Sequence, residues 1–124
     1  MAGKTVLLLD DDPAIRAMVR ELLMNKGFRV LEAGHVQEAL KISERHKGPI
    51  HLLLTDVLMP GMSGRGVAEE LSASRPEMNV LYMSGYSSDI LRQQGVSAWK
   101  AFLHKPFTEE ELDLKIQEAL ESSQ

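Results

Sequence analysis

The sequence predicts an α/β fold, a doubly wound parallel sheet of five strands with helices on both faces. Short apolar runs alternate along the chain with segments in which apolar residues recur at helical spacing, a pattern typical of parallel sheets with right-handed crossovers. The first run is almost wholly apolar, as expected of a strand that is covered on both faces. Because no linker or internal repeat interrupts the alternation, we expect residues 1–124 to form a single domain.

The first half of the chain predicts strands over residues 5–9, 28–32 and 50–55. Asp11 or Asp12 is positioned to cap a helix over residues 14–26, with Pro13 in its first turn. Gly27 ends that helix, since glycine is favoured just after the last helical turn. A second helix is predicted from residue 36 to about residue 47 by the spacing of its apolar residues.

The second half predicts a helix over residues 64–74, a strand over residues 79–84 and a weakly patterned helix over residues 88–94. A fifth strand is predicted over residues 99–104 and a last helix over residues 109–120. Thr108, followed three residues later by Glu111, forms the capping box that marks the start of this helix.

Composition limits the classes of function. The 124 residues carry a net charge of -4, and the isoelectric point is about 5.5, so electrostatic attraction to nucleic acid is not expected. The absence of cysteine excludes disulfides and thiolate metal sites. No apolar stretch approaches the roughly 20 residues that a membrane helix needs. We therefore expect a soluble protein, or a soluble domain of a larger one, without direct contact with nucleic acid or membrane.

Polar residues end or follow four of the predicted strands. Asp10–Asp12 follow the first, Asp56 follows the third, Ser84 is the last residue of the fourth and Lys105 follows the fifth. Taken singly, these residues are typical of a helix cap with solvated charge, of turns and of a surface lysine. In a doubly wound sheet, however, the carboxyl ends of these strands meet at one crevice, which favours a shared site.

The chemistry of such a site follows from its charges. Two carboxylates 4 Å apart repel each other by about 4 kcal/mol at an effective dielectric constant of 20, so a proton or a cation must lie among them. Oxygen ligands without histidine or cysteine favour Mg²⁺. A lysine and a hydroxyl facing that cation would hold phosphoryl oxygens. Because a carboxylate can act as a nucleophile, the pattern predicts phosphate acceptance on Asp56.

These residues lie in motifs that resemble the receiver domain of bacterial two-component response regulators. The motifs are LLLDDDP at residues 7–13 with Arg16, TDVLMPGMSG at residues 55–64, MSGY at residues 83–86 and KPF at residues 105–107. The resemblance covers essentially the whole chain. It implies a flavodoxin-like sheet with strand order 2-1-3-4-5 and Asp56 as the phosphoacceptor.

The same resemblance implies a metal site. Asp11 would bind Mg²⁺ directly, Asp10 would bind it directly or through water, and Asp56 and the backbone carbonyl of Leu58 would complete the protein ligands. Which two of the three consecutive aspartates are ligands is left open by the residues, with Asp12 as the flanking one.

The resemblance also implies a switch. Ser84 would turn its hydroxyl towards the phosphoryl group, and Lys105 would pair with the phosphate and precede a cis peptide bond. Phe102 occupies the aromatic switch position, and its ring lacks a hydroxyl. The fourth helix, the fifth strand and the last helix would form the face that changes conformation.

A sensor histidine kinase or a histidine phosphotransfer protein is the partner that the resemblance implies, and the domain would be a phosphoacceptor rather than an enzyme. Residues 80–86 and 101–107 are similar to receivers of hybrid sensor histidine kinases. Both a stand-alone receiver and one excised from such a kinase stay open, as do a monomer and a weak phosphorylation-dependent dimer.

Two other functions are compatible with parts of this pattern. A haloacid-dehalogenase-type phosphatase also uses an aspartate after a strand, but it needs a second aspartate where this chain has Leu58. A binding module that keeps the fold without using phosphorylation is the remaining alternative.

Leu58 and Tyr86 replace polar residues that position the hydrolytic water in many receivers, so slow self-dephosphorylation is expected.

Overall fold

The sheet has the predicted architecture. A computed structural model describes residues 3–59, 62–85 and 102–121. Five parallel strands pair in the order β2-β1-β3-β4-β5, which confirms the predicted fold class and strand order. The strands are β1 (Thr5–Leu9), β2 (Arg29–Ala33), β3 (Leu52–Asp56), β4 (Asn79–Ser84) and β5 (Phe102–His104).

Four helices are described, and the first begins after a capping residue. Asp12 caps the first, because its Oδ1 accepts the N–H groups of Ala14 at 2.9 Å and Ile15 at 3.3 Å. The predicted fourth helix, residues 88–94, lies outside the described residues. The described helices are α1 (Pro13–Asn25), α2 (Val36–Arg45), α3 (Gly64–Ser74) and the C-terminal helix (Glu109–Glu121).

The predicted capping box of the C-terminal helix is present. The backbone N–H of Glu111 donates to Thr108 Oγ1 at 3.0 Å, and the N–H of Thr108 donates to Glu111 Oε1 at 2.9 Å. These two reciprocal bonds satisfy backbone donors that the first turn of a helix leaves without a partner.

The core of the described residues consists of two apolar clusters, one on each face of the sheet. Leu7 and Leu9 of β1 contribute to the cluster under α2 and α3, which also contains Val67 and Leu71. Val6 and Leu8 point the other way, into a cluster that contains residues of α1 and the C-terminal helix. All five residues of β1 are buried, as predicted for a strand covered on both faces.

Several boundaries differ from the predicted ones for identifiable reasons. β2 begins one residue later than predicted, because the N–H of Phe28 donates to the Leu23 carbonyl at the end of α1. β3 begins at Leu52 although Ile50 is fully buried, so burial there does not mean sheet pairing. α2 ends at Arg45, before the predicted end near residue 47.

A short hairpin follows β3 and was not predicted. Leu58–Met59 and Met62–Ser63 form two antiparallel strands of two residues each. Residues 99–101, predicted as the start of the fifth strand, lie outside the described residues, which resume at residue 102. Among the described helices, none has the length and apolar character to cross a membrane.

Candidate metal centre

The pairing of the strands brings four of the polar residues named above to one edge of the sheet. Leu9 of β1 pairs with Thr55 of β3, and Asp56 pairs with Met83 of β4. Ser84 in turn pairs with His104 of β5. Because the strands are parallel and in register, the residues that end or follow them lie side by side.

Lys105 connects two of the carboxylates. Its Nζ lies 2.9 Å from Asp10 Oδ2 and 3.2 Å from Asp56 Oδ2, within hydrogen-bonding distance of both. The side chain of Asp10 is fully buried, and those of Lys105 and Asp56 are each 14% exposed. The Lys105–Pro106 peptide bond is cis, in agreement with the resemblance to receivers.

The position of Asp10 is fixed by bonds to its backbone and its side chain. Its N–H donates to the Ala33 carbonyl at 3.2 Å, and its own carbonyl accepts from Arg16 Nη1 at 2.8 Å. Its Oδ1 accepts the backbone N–H of Asp12 at 2.9 Å, while Oδ2 faces Lys105. A buried carboxylate needs such partners, because burial without them disfavours its charged form.

Asp10, Asp11 and Asp56 form an acidic group in which one carboxylate oxygen from each residue lies within 4.8 Å of the others. These oxygens fit Mg²⁺, which binds carboxylates and retains several waters. Asp12 belongs instead to the cap of α1. Leu58, the residue whose carbonyl the resemblance adds to the ligands, starts the short hairpin two residues after Asp56.

Burial and the neighbouring charges shift the pKa values of Asp56 and Lys105. Burial raises the pKa of Asp56, and the charges of Asp10 and Asp11 raise it further, against the lowering effect of Lys105. Burial lowers the pKa of Lys105, but its hydrogen bonds and charge contacts with Asp10 and Asp56 outweigh burial and raise it above its ordinary value. The ammonium faces two carboxylates, whereas Asp56 has one cation and two like charges beside it. The site is therefore short of positive charge.

Ser84 ends β4, whereas Phe102 begins β5, so the two residues lie at different positions along neighbouring strands. Ser84 is fully buried at the end of β4. Phe102 pairs in register with Tyr82, two residues before Ser84, and packs partly buried against the cluster under α2 and α3. The centre of its ring lies 4.7 Å from the ring of His104, with the planes inclined by 58°. Tyr86 lies outside the described residues.

The contacts of Arg16 were not predicted. The sequence motif included this residue without assigning it a contact, yet its guanidinium bonds to the backbone of Asp10. The available signal was its position four residues after Asp12, which places it one turn into α1 and above the end of β1.

Comparison with known proteins identifies the family. Residues 6–117 match the model of the response regulator receiver domain. The chain belongs to this family. Receiver domains are the phosphoacceptor signalling domains of two-component systems, and as a class they are signalling domains rather than enzymes.

Similar receivers occur in proteins of different architecture. The chain is 36% identical over 118 residues to the sensor kinase CckA of Brucella abortus, covering 94% of this chain and 12% of that kinase. The crystal structure of the receiver domain from the hybrid histidine kinase CckA matches with a TM-score of 0.77 and 31% identity, covering 94% of this receiver and 98% of that chain. A CheY-like receiver from Methanospirillum hungatei matches with a TM-score of 0.80 and 30% identity, covering 97% and 95% of the two chains.

Proposed function

We propose that this receiver is a phosphorelay switch in which Asp56 accepts a phosphoryl group from a phosphohistidine. The donor would be a sensor histidine kinase or a histidine phosphotransfer protein in the cytoplasm. The observation that carries the proposal is the contact of Lys105 Nζ with both Asp10 and Asp56, beside three clustered carboxylates. A solvated acidic helix cap would not explain why a largely buried lysine lies between the buried Asp10 and the half-buried Asp56.

Asp10, Asp11, Asp56 and the Leu58 carbonyl would hold Mg²⁺. When bound, Mg²⁺ would supply the positive charge that the carboxylates lack and would offset the negative charge of the incoming phosphoryl group. Burial raises the pKa of Asp56. A cation beside Asp56 would oppose this rise and favour the ionised form of the carboxylate, which is the nucleophile.

In the transfer step, a carboxylate oxygen of Asp56 forms a bond to phosphorus as the bond from phosphorus to the donor imidazole nitrogen breaks. The electron pair of that bond stays on the imidazole. Lys105 Nζ, 3.2 Å from Asp56 Oδ2, stabilises the negative charge of the phosphoryl oxygens. The Ser84 hydroxyl would donate a hydrogen bond to another of these oxygens.

The output would be a change at the face that contains β5 and the C-terminal helix. Ser84 and Phe102 lie on neighbouring strands of the sheet, so movement of the serine towards the phosphate frees space beside β5. Phe102 would respond through packing, since it has no hydroxyl to bond. We place the whole switch in a single domain, residues 1–124, that is a monomer or a weak dimer formed on phosphorylation.

The first test is phosphorylation by a small donor. The protein is incubated with acetyl phosphate and Mg²⁺, and its intact mass is measured. We expect the addition of one phosphoryl group, none in Asp56→Ala, and strongly reduced incorporation in Lys105→Met. Asp12→Asn is the matched control, because it changes a neighbouring acid outside the cluster and keeps the helix cap.

The same experiment addresses the alternative function. A folded protein that gains no mass with acetyl phosphate would contradict the switch and favour a binding module that keeps only the receiver fold. Incorporation that persists in Asp56→Ala would contradict the assignment of the acceptor.

A further inference from the structure

Arg16 joins α1 to the backbone of the acidic group. Its Nη1 donates to the Asp10 carbonyl at 2.8 Å, and its Nε lies 3.6 Å from Glu32 Oε1 on β2. The side chain is only 24% exposed. Because a guanidinium presents several donors in a fixed planar arrangement, these contacts define its orientation as well as its position.

Gly34 provides the space that the guanidinium occupies. A Cβ at residue 34 would lie 3.0 Å from Arg16 Nη1, closer than carbon and nitrogen normally approach. The backbone does not require glycine there, because the described glycines with positive φ are Gly3, Gly27 and Gly48. Glycine at residue 34 is therefore explained by the close approach of Arg16.

The bond from Arg16 acts on the peptide between Asp10 and Asp11. The Asp10 carbonyl belongs to this planar unit, so fixing its oxygen fixes the direction in which the chain enters Asp11. Asp11 is exposed, and within the described ranges its carboxylate has no hydrogen bond or ion pair of its own. Its location beside Asp10 and Asp56 thus depends on its backbone.

We propose that Arg16 is a positioning residue for the metal site, holding the Asp10–Asp11 peptide so that both carboxylates face the same cation. Gly34 is part of this device, because it allows the guanidinium to reach the Asp10 carbonyl. The inference rests on the proposed function, since it takes the acidic group to be the Mg²⁺ site.

A purely electrostatic role for Arg16 makes the opposite prediction. A positive charge near the acidic group repels Mg²⁺, so removing it would tighten binding, and replacing it by another cation would change little. Positioning by the guanidinium is lost in both replacements. Arg16→Gln and Arg16→Lys therefore distinguish the two roles.

The experiment measures Mg²⁺ affinity by isothermal titration calorimetry and the free energy of unfolding by urea, each for the full chain. We expect Arg16→Gln and Arg16→Lys each to weaken Mg²⁺ binding by about tenfold, the lower end of the range for residues that orient metal ligands. Arg20→Gln is the matched control. Arg20 lies one turn after Arg16 on α1, and its Nε is 3.5 Å from Glu32 Oε2 on β2, but it has no bond to Asp10 among the described contacts. It should bind Mg²⁺ as the unaltered protein does.

Gly34→Ala displaces the guanidinium without changing any charge. As a single substitution, it should weaken Mg²⁺ binding. Combined with Arg16→Gln it should cause no further loss, since the guanidinium that the new methyl group would displace is then absent. Unchanged affinity in Arg16→Lys and Gly34→Ala, or tighter binding in Arg16→Gln, would overturn the positioning role while leaving the proposed function intact. Failure of the unaltered protein to bind Mg²⁺ would overturn both.

Discussion

At the edge of the sheet opposite the carboxylates, His51 makes a bond that depends on its protonation state. Its Nδ1 accepts the backbone N–H of Thr5 at 2.9 Å, so the imidazole must be neutral with its proton on Nε2. Burial lowers the pKa of His51, and the charge of Lys4 lowers it further against the opposing effect of Glu77. The folded protein therefore holds the neutral form more strongly than the unfolded chain does.

This histidine gives stability a pH dependence of known sign. Because the unfolded chain binds the proton more readily, the contribution is fully present above about pH 6.5, the ordinary histidine value, and is lost as pH falls below it. We expect the free energy of unfolding, measured by urea at pH 7.5 and pH 5.5, to fall less in His51→Asn. Asparagine keeps an acceptor near the Nδ1 position and does not titrate. An equal fall in both proteins would contradict a role for His51.

At the residue scale, the sequence predicts which residues form the candidate site but not the contacts that orient them. Asp10, Asp56 and Lys105 could be placed together because parallel strands bring their carboxyl ends to one edge whatever the side-chain conformations. The bond from Arg16 to the Asp10 carbonyl depends on the space left at Gly34. Such a fit between distant side chains and backbone has no periodic signal in a single sequence.

At the scale of secondary structure, Arg75 explains how α2 ends. Its Nη2 donates to the carbonyls of Ser43 and His46, each at 2.8 Å, and Nη1 donates to the Gly48 carbonyl at 2.7 Å. Nε also donates to the buried Ser43 Oγ at 2.9 Å. A cation is favourable at a helix C-terminus, where carbonyls lack partners within the helix.

Removing this side chain should weaken the packing of α2 on the rest of the domain. We expect Arg75→Ala to lower the free energy of unfolding by about 2–3 kcal/mol, since it leaves several partly buried carbonyls without a charged donor. Urea unfolding measures this loss. Glu77→Gln is the control: it removes the ion pair at 3.7 Å to Arg75 Nη1 but leaves the bonds of Arg75 to the carbonyls, and it should change stability by less than about 0.5 kcal/mol. A similar loss in both variants would assign the effect to the ion pair.

The boundaries of the elements were predictable where local chemistry marks them. The limits of β1, β4 and α3 agree with the prediction, and the Thr108–Glu111 box gave the start of the C-terminal helix. The end of α2 was missed because Arg75, 32 residues after Ser43, is distant in the sequence. The hairpin at Leu58–Met59 was missed because strands of two residues are too short to show alternation.

At the scale of the whole molecule, the proposed metal site links Mg²⁺ binding to the stability of the fold. Its proposed ligands come from the ends of β1 and β3, which pair at the centre of the sheet, so unfolding separates them. A ligand that binds only the folded state stabilises it, by about 1.4 kcal/mol at a concentration ten times its dissociation constant. We expect Mg²⁺ at that excess to raise the free energy of unfolding by this amount.

The substitution of a single acid should abolish this gain. Asp11→Asn is predicted to unfold with the same free energy with and without Mg²⁺, whereas Asp12→Asn should retain the gain because its side chain lies in the α1 cap. Urea titrations with Mg²⁺ and with EDTA provide the comparison. Equal stabilisation of Asp11→Asn would show that the ion binds outside the acidic group.

The central strands of the sheet are nearly uniform in sequence, and this affects how they are aligned. Residues 7–9 of β1 and residues 52–54 of β3 are all leucine, and both sets are fully buried. Sliding one strand past the other by a residue would exchange leucine for leucine, so hydrophobic burial hardly distinguishes the two alignments. The slip would, however, carry Asp10 away from Lys105. The charged residues at the ends of these strands therefore favour the observed alignment over a shifted one that is almost equally apolar.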